Sequence, residues 1–230
     1  MSLLSRRGLD THSWLKSLRA SAPIIVIAMV GIVLAWLVLR NASPQTDHDA
    51  TLAVYQLGGT PGPLEGGAKA IWYVASAGNV VWIPLVFWLY VFRKDEHEWN
   101  TAVILAVAVA VSMASSDILK LLFHLPRPFD PAACATCPAD FVARVSKPTN
   151  FAFPSGHATQ AFTVFAVVWR RYKVWRLPFL ALALGTGIGM MVVGLHFLSD
   201  VVAGGFLGIV SGAFATSLGN LRSEPKAVTP

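Results

Sequence analysis

Charged side chains are scarce in this chain. They make up 13% of its 230 residues, against roughly 25% in an ordinary soluble domain. With 55% hydrophobic residues and a mean hydropathy of +0.58, the composition excludes a soluble globular protein or one held by a single anchor. It points instead to an integral membrane protein. Cysteine is nearly absent. The two present, Cys134 and Cys137, stand together as "CATC". They lack the further ligands of a zinc site and the surroundings of a thioredoxin-like redox centre. In an oxidising space they are expected to form a small disulfide. A basic groove with interleaved aromatics is also missing. The net charge of +6 therefore does not indicate nucleic acid, because most Lys and Arg residues lie in short segments between apolar runs.

Six apolar runs are present: Pro23–Leu39, Ala70–Phe92, Thr101–Phe123, Phe151–Trp169, Leu177–Leu195 and Phe197–Leu221. Each is near the roughly 20 residues that a helix needs to cross a bilayer. The expected fold is all-α, a polytopic six-helix membrane bundle over residues 23–221, with short segments 1–22 and 222–230 on either side. The first run follows a basic stretch. At 17 apolar residues it exceeds the roughly 7–15 of a signal core, and Arg40-Asn41-Ala42 makes a poor cleavage site, so a retained anchor is expected. One set of connecting segments, including Arg6, Arg7, Arg93, Lys94, Arg170 and Arg171, holds 12 of the 18 Lys and Arg residues. The other side holds Arg40, Lys69, Lys120, Arg127, Arg144 and Lys147. The basic side is expected to be cytoplasmic, with both termini inside.

Several patterns are read as packing. Gly204, Gly208 and Gly212 repeat every four residues and allow close helix approach. Gly185, Gly187 and Gly189 imitate a nucleotide loop but lie within an apolar span with no strand before them. Trp72, Trp82, Trp88 and Trp99 are expected as interfacial or packing aromatics.

Against this background the polar residues at one membrane face stand out, since ionisable groups at membrane helix ends are costly. Lys120 lies near the end of the third run, and Arg127 follows seven residues later in "LPRPF". "PSGH" opens the fourth run, with Ser155 suited to an N-cap and Gly156 to close backbone approach. A helix N-terminus attracts anions. His196 and Asp200 are spaced i, i+4 in "HFLSD" and share one helical face. A carboxylate on one ring nitrogen raises the nucleophilicity of the other. Two cations, a helix start and two histidines supply what phosphoryl transfer needs without a metal or cofactor.

These residues carry a family resemblance. The sequence is similar to the type 2 phosphatidic acid phosphatases, a membrane superfamily related to bacterial acid phosphatases and vanadium haloperoxidases. The family's Lys-x6-Arg-Pro matches Lys120, Arg127 and Pro128, and its Pro-Ser-Gly-His matches Pro154 to His157. Its Ser-Arg-x5-His-x3-Asp is half present: His196 and Asp200 match, but Gly189 and Met190 replace the Ser and Arg. The likeness runs from about residue 70 to 215. It implies that His196 attacks phosphorus, Asp200 orients it, and His157 protonates the leaving alkoxide. It further implies that Lys120, Arg127 and the backbone at Ser155 and Gly156 hold the phosphate oxygens.

The implied protein is a phosphatase in the cell membrane (the inner membrane in a bacterium), its site facing outward and its substrate an amphipathic phospholipid or polyprenyl phosphate. Met190 removes one phosphate-binding cation, which Lys147 or Arg144 would replace. The alternatives are a phosphotransferase, or a family member that binds or moves lipids without chemistry.

Overall fold

A computed structural model describes residues 11–58, 85, 87–91, 96–128 and 151–220. Lys147, Arg144, Cys134, Cys137, Trp72 and Trp82 lie outside the described residues, as does most of the second apolar run.

The described chain is helical. Helix α1 (Thr11–Leu34) continues into a π-helical stretch, Ala35–Ala42, and a short break leads into α2 (Pro44–Gly58). Then come α3 (Glu96–Phe123), α4 (Gly156–Arg171), a 3-10 turn, α5 (Arg176–Val192) and α6 (Leu198–Asn220). Among the described residues, four helices are long and apolar enough to cross a membrane: Ala22–Ala42, Glu98–Phe123, Lys173–Val192 and Leu198–Gly219. The fourth apolar run forms only the 16-residue α4, about 24 Å at 1.5 Å per residue. Helix α2, poor in apolar residues, crosses nothing by this measure. Many large apolar side chains point outward, including Ile27, Leu121, Leu122 and Leu177. Water would penalise such a surface, and lipid does not.

Helix α6 is the hub and packs against α1, α3 and α4. Its apolar stretch is 67% buried, against 22% for the first span. One core lies between α3 and α4, built on Leu105, Val109, Val164 and Val167, with Ala215 from α6. A second joins Ile32 and Ala35 to Phe153, Ala203 and Leu207. The α4–α6 contact explains the repeated glycines. A Cβ on Gly204 would lie 2.5 Å from the Ser155 carbonyl oxygen, and one on Gly208 would lie 2.3 Å from that of Thr159. The two backbones therefore touch along a stripe where only hydrogen fits, as the four-residue spacing predicts. Hydroxyls near the seam satisfy themselves on their own helices: Thr163 donates to the Thr159 carbonyl (2.7 Å) and Thr216 to that of Gly212 (2.7 Å).

Gly185, Gly187 and Gly189 lie within α5, as their apolar surroundings predict. Trp88 stacks at a tilt on Tyr172 with ring centroids 5.0 Å apart, a packing aromatic.

Gly208→Ala should force α4 and α6 apart at a cost of about 1–3 kcal/mol. Gly185→Ala, where an added Cβ meets nothing within 4 Å, should leave stability unchanged or slightly raised. Thermal unfolding of the two variants in one detergent checks this.

Candidate active site

Three short segments converge at one end of the bundle. The first is the end of α3. Lys120 lies in its last turn, 3.9 Å from Asp117. The chain then turns at His124, whose positive φ of 50° places it in the left-handed region. It runs through Leu125 and Pro126 to Arg127, which is 9% exposed and donates to the Leu195 carbonyl (3.0 Å). Burial pulls the Arg127 guanidinium below its ordinary value, while the Asp200 charge opposes that shift.

The second segment is the start of α4. Ser155 is its N-cap, and the hydroxyl accepts from the Ala158 N–H (3.4 Å). Gly156 lets the α3 cation approach: a Cβ there would sit 3.4 Å from Lys120 Nζ. The Ser155 N–H corrects one expectation. It donates to the Asp200 carbonyl (2.9 Å), so it pins α4 to α6 and is not available to a phosphate oxygen.

The third segment is the turn from α5 to α6. Helix α5 ends in a Schellman motif: Leu195 N–H donates to the Met190 carbonyl (2.8 Å) and Gly194 N–H to that of Met191 (2.8 Å). Gly194 adopts φ 67°, which a side chain would resist. Met190 is fully buried, and its carbonyl serves this turn. The chain emerges into His196 and enters α6 at Leu198. Asp200, in the first turn, accepts from the Phe197 N–H (2.8 Å), half of a capping box.

The histidines face each other across the gap between these segments, with ring centroids 6.2 Å apart and planes at 64°. His196 Nδ1 lies 3.5 Å from Asp200 Oδ2, and both side chains are buried. That distance exceeds a formed hydrogen bond, as is common for catalytic pairs without substrate. Neither His196 Nδ1 nor Asp200 Oδ1 has a hydrogen-bond partner in the described structure. Burial, then Arg127 and Lys120, hold the His196 imidazole well below the ordinary histidine value, with a hydrogen bond to the Ala152 backbone opposing them. His196 is therefore neutral at neutral pH, the form a nucleophile requires. The same two cations also act on His157. Thus all seven residues singled out in the sequence stand around one buried, positively charged end of the bundle.

With this geometry in view, the comparisons with known proteins become specific. The PAP2 superfamily model matches residues 101–224, more than half of the chain. The chain belongs to the PAP2 superfamily.

A transmembrane PAP2-type phosphatidylglycerolphosphate phosphatase from Bacillus subtilis shares the fold, with a TM-score of 0.68 at 18% identity over 88% of this chain and 98% of that one. The lipid A 4'-phosphatase of Bacteroides thetaiotaomicron is 32% identical over 145 residues, 58% of this chain and 62% of the relative. The decaprenylphosphoryl-5-phosphoribose phosphatase of Mycobacterium tuberculosis is 29% identical over 133 residues, covering 58% and 68%. The chain thus spans about two thirds of the length of these curated relatives.

The PAP2 motifs left some neighbours of this site unmarked. Arg40, Asp47, Thr51 and Ser199 pack against the turn that carries His196. The first three lie before the matched segment. Asp47 and Thr51 share one face of α2 at an i, i+4 spacing. That pairing was the available signal, in a stretch with little hydropathy to draw attention to it.

The depressed His196 value makes a pH prediction. An unfolded histidine takes up a proton as pH falls through about 6.5, and the buried one does not. Stability should therefore fall between pH 7 and 5, by at most about 1.4 kcal/mol per pH unit from this group. His196→Gln should flatten that slope. An unchanged slope in thermal unfolding would show that His196 is not held neutral.

Proposed function

We propose that this PAP2 protein is a membrane phosphatase that hydrolyses a lipid phosphate monoester or pyrophosphate through a phosphohistidine. The observation that carries this is the buried His196–Asp200 pair at 3.5 Å, facing the His157 ring 6.2 Å away. Once the pair closes, Asp200 accepts a hydrogen bond from Nδ1–H, and Nε2, freed from its hydrogen bond to the Ala152 backbone, attacks phosphorus. His157 takes up a proton as the phosphate dianion binds beside it; the P–N bond then forms as the P–O bond to the lipid breaks, and His157 gives that proton to the departing oxygen. Water then attacks the phosphohistidine, His157 takes the proton, and phosphate leaves with His196 restored.

Lys120 and Arg127 stabilise the equatorial oxygens, where charge gathers in the transition state. With the Ser155 amide committed to Asp200, the helix-end contribution falls to the Gly156 and His157 N–H groups. Two cations and a helix end supply the positive charge, so the mechanism needs no metal. The substrate class is an amphipathic phosphate entering from lipid. The named activities of the relatives, on lipid A and on decaprenylphosphoryl-5-phosphoribose, support this. The bias of Lys and Arg toward one set of connecting segments supports termini in the cytoplasm and a site at the outer face, within a bundle of six spans.

Phosphate release by purified protein across a panel of lipid phosphates, in chelator, tests the activity. The two histidines separate by leaving group. His196→Ala should reduce release to background with every substrate. His157→Ala should lose about 10²–10⁴-fold with an alkyl leaving group, and far less with a nitrophenyl one, which departs without a proton. Equal losses with both substrates would remove His157 as the acid.

A further inference from the structure

The mechanism leaves a buried charge pair unused. Arg40, in the π-helical stretch, lies 3.6 Å from Asp47 on α2, and their side chains are 11% and 1% exposed. Burying two charges is costly, and such a pair persists where its geometry serves something. Its surroundings show what that is.

Helix α6 begins in the protein interior, so its first N–H groups need acceptors. Its N-cap position is Phe197, whose side chain cannot accept. Asp200 serves the Phe197 N–H from within the helix. The next two are served from α2: Thr51 Oγ1 accepts from Leu198 N–H (3.1 Å) and Asp47 Oδ1 from Ser199 N–H (2.8 Å). Asp47 Oδ2 also takes the Ser199 hydroxyl (2.6 Å). One carboxylate thus grips one residue twice, between His196 and Asp200, and its charge suits the positive end of α6. Asp47 and Thr51 are themselves tied together, since Thr51 Oγ1 donates to the Asp47 carbonyl (2.7 Å).

Arg40 extends the grip to the other side of the site. It donates to the Pro126 carbonyl (3.0 Å), beside Arg127, and its guanidinium lies 3.9 Å over the Phe197 ring, beside His196. It does not stand in for the arginine missing at Met190. The cations that act on His157 and His196 are Arg127 and Lys120. Arg40 acts on Asp47 and Asp200, the carboxylates behind the histidine.

We propose that Arg40 and Asp47 are positioning residues, a clamp from outside the PAP2-matched segment that sets the His196–Asp200 turn against the Arg127 loop. They touch no substrate and act through Ser199, Phe197 and Pro126. The clamp matters here because the His196–Asp200 contact stands at 3.5 Å and must tighten for attack, so a small rotation of this turn decides the geometry.

This rests on the phosphatase reading, and wild-type turnover is measured beside every variant. Asp47→Ala should lower kcat about 10–100-fold, as loss of an outer positioning contact does elsewhere, with KM within about twofold. Asp47→Asn keeps an acceptor for the Ser199 N–H and should recover much of the loss. Ser199→Ala, which removes only the hydroxyl contact and spares the fold, should lower kcat several-fold. It should add little to Asp47→Ala, because the two share one interaction. Asp49→Asn, exposed on the same helix, is the control expected to match wild type. A wild-type kcat for Ser199→Ala and Asp47→Ala would overturn the clamp while leaving the phosphatase intact. So would a loss confined to KM, or a fall in thermal stability with no effect on kcat. A wild type that released no phosphate from any lipid would remove both.

Discussion

The start of α6 lies in the protein interior, and everything at this end of the molecule depends on how its free amide groups are satisfied. An unpaired N–H there costs about as much as a lost hydrogen bond. Three side-chain acceptors meet that demand: Asp200 from α6 itself, and Asp47 and Thr51 from α2. The Asp200 carbonyl in turn holds the Ser155 N–H, so the same turn fixes where α4 begins. A structural requirement, the capping of one helix, thereby places both histidines.

Chemistry follows from the charges around that turn. Arg127 reaches back to the Leu195 carbonyl, and Lys120 comes to rest against Gly156. Burial, reinforced by both cations, keeps His196 neutral, and in the proposed mechanism the cations present positive charge to an incoming phosphate. Asp200 and Asp47 hold the same turn, and Arg40 attracts both carboxylates, which offsets their repulsion. The site thus joins two cations to two carboxylates around His196, a charge distribution that supports the proposed phosphohistidine mechanism. The glycine seam between α4 and α6 holds the two faces of the site together, because backbones in direct contact leave little room to slide.

Much of this was legible in the sequence. Lys120, Arg127, Ser155, His157, His196 and Asp200 sit in short motifs whose spacing reflects local geometry, and their family likeness is specific. The Gly204, Gly208 and Gly212 stripe was readable for the same reason, since four-residue spacing is a property of one helix. The clamp was not readable. Asp47 and Ser199 are 152 residues apart, and no local pattern pairs them. The family resemblance implied that the Ser155 amide holds phosphate, whereas here the Asp200 carbonyl accepts from it. Hydropathy also counted six spans, while the described helices supply four of that length. A run of apolar residues marks burial, and α4 is buried in the bundle whatever its length.

In the proposed mechanism His196 carries phosphorus. The most direct measurement is a rapid acid-free quench of the protein turning over a ³²P-labelled lipid phosphate, followed by mapping of the bound label. The expected result is an acid-labile, base-stable phosphoramidate on His196, formed and discharged at rates that support steady-state turnover. Label on His157, or turnover with no phosphoprotein at any time resolved, would contradict it.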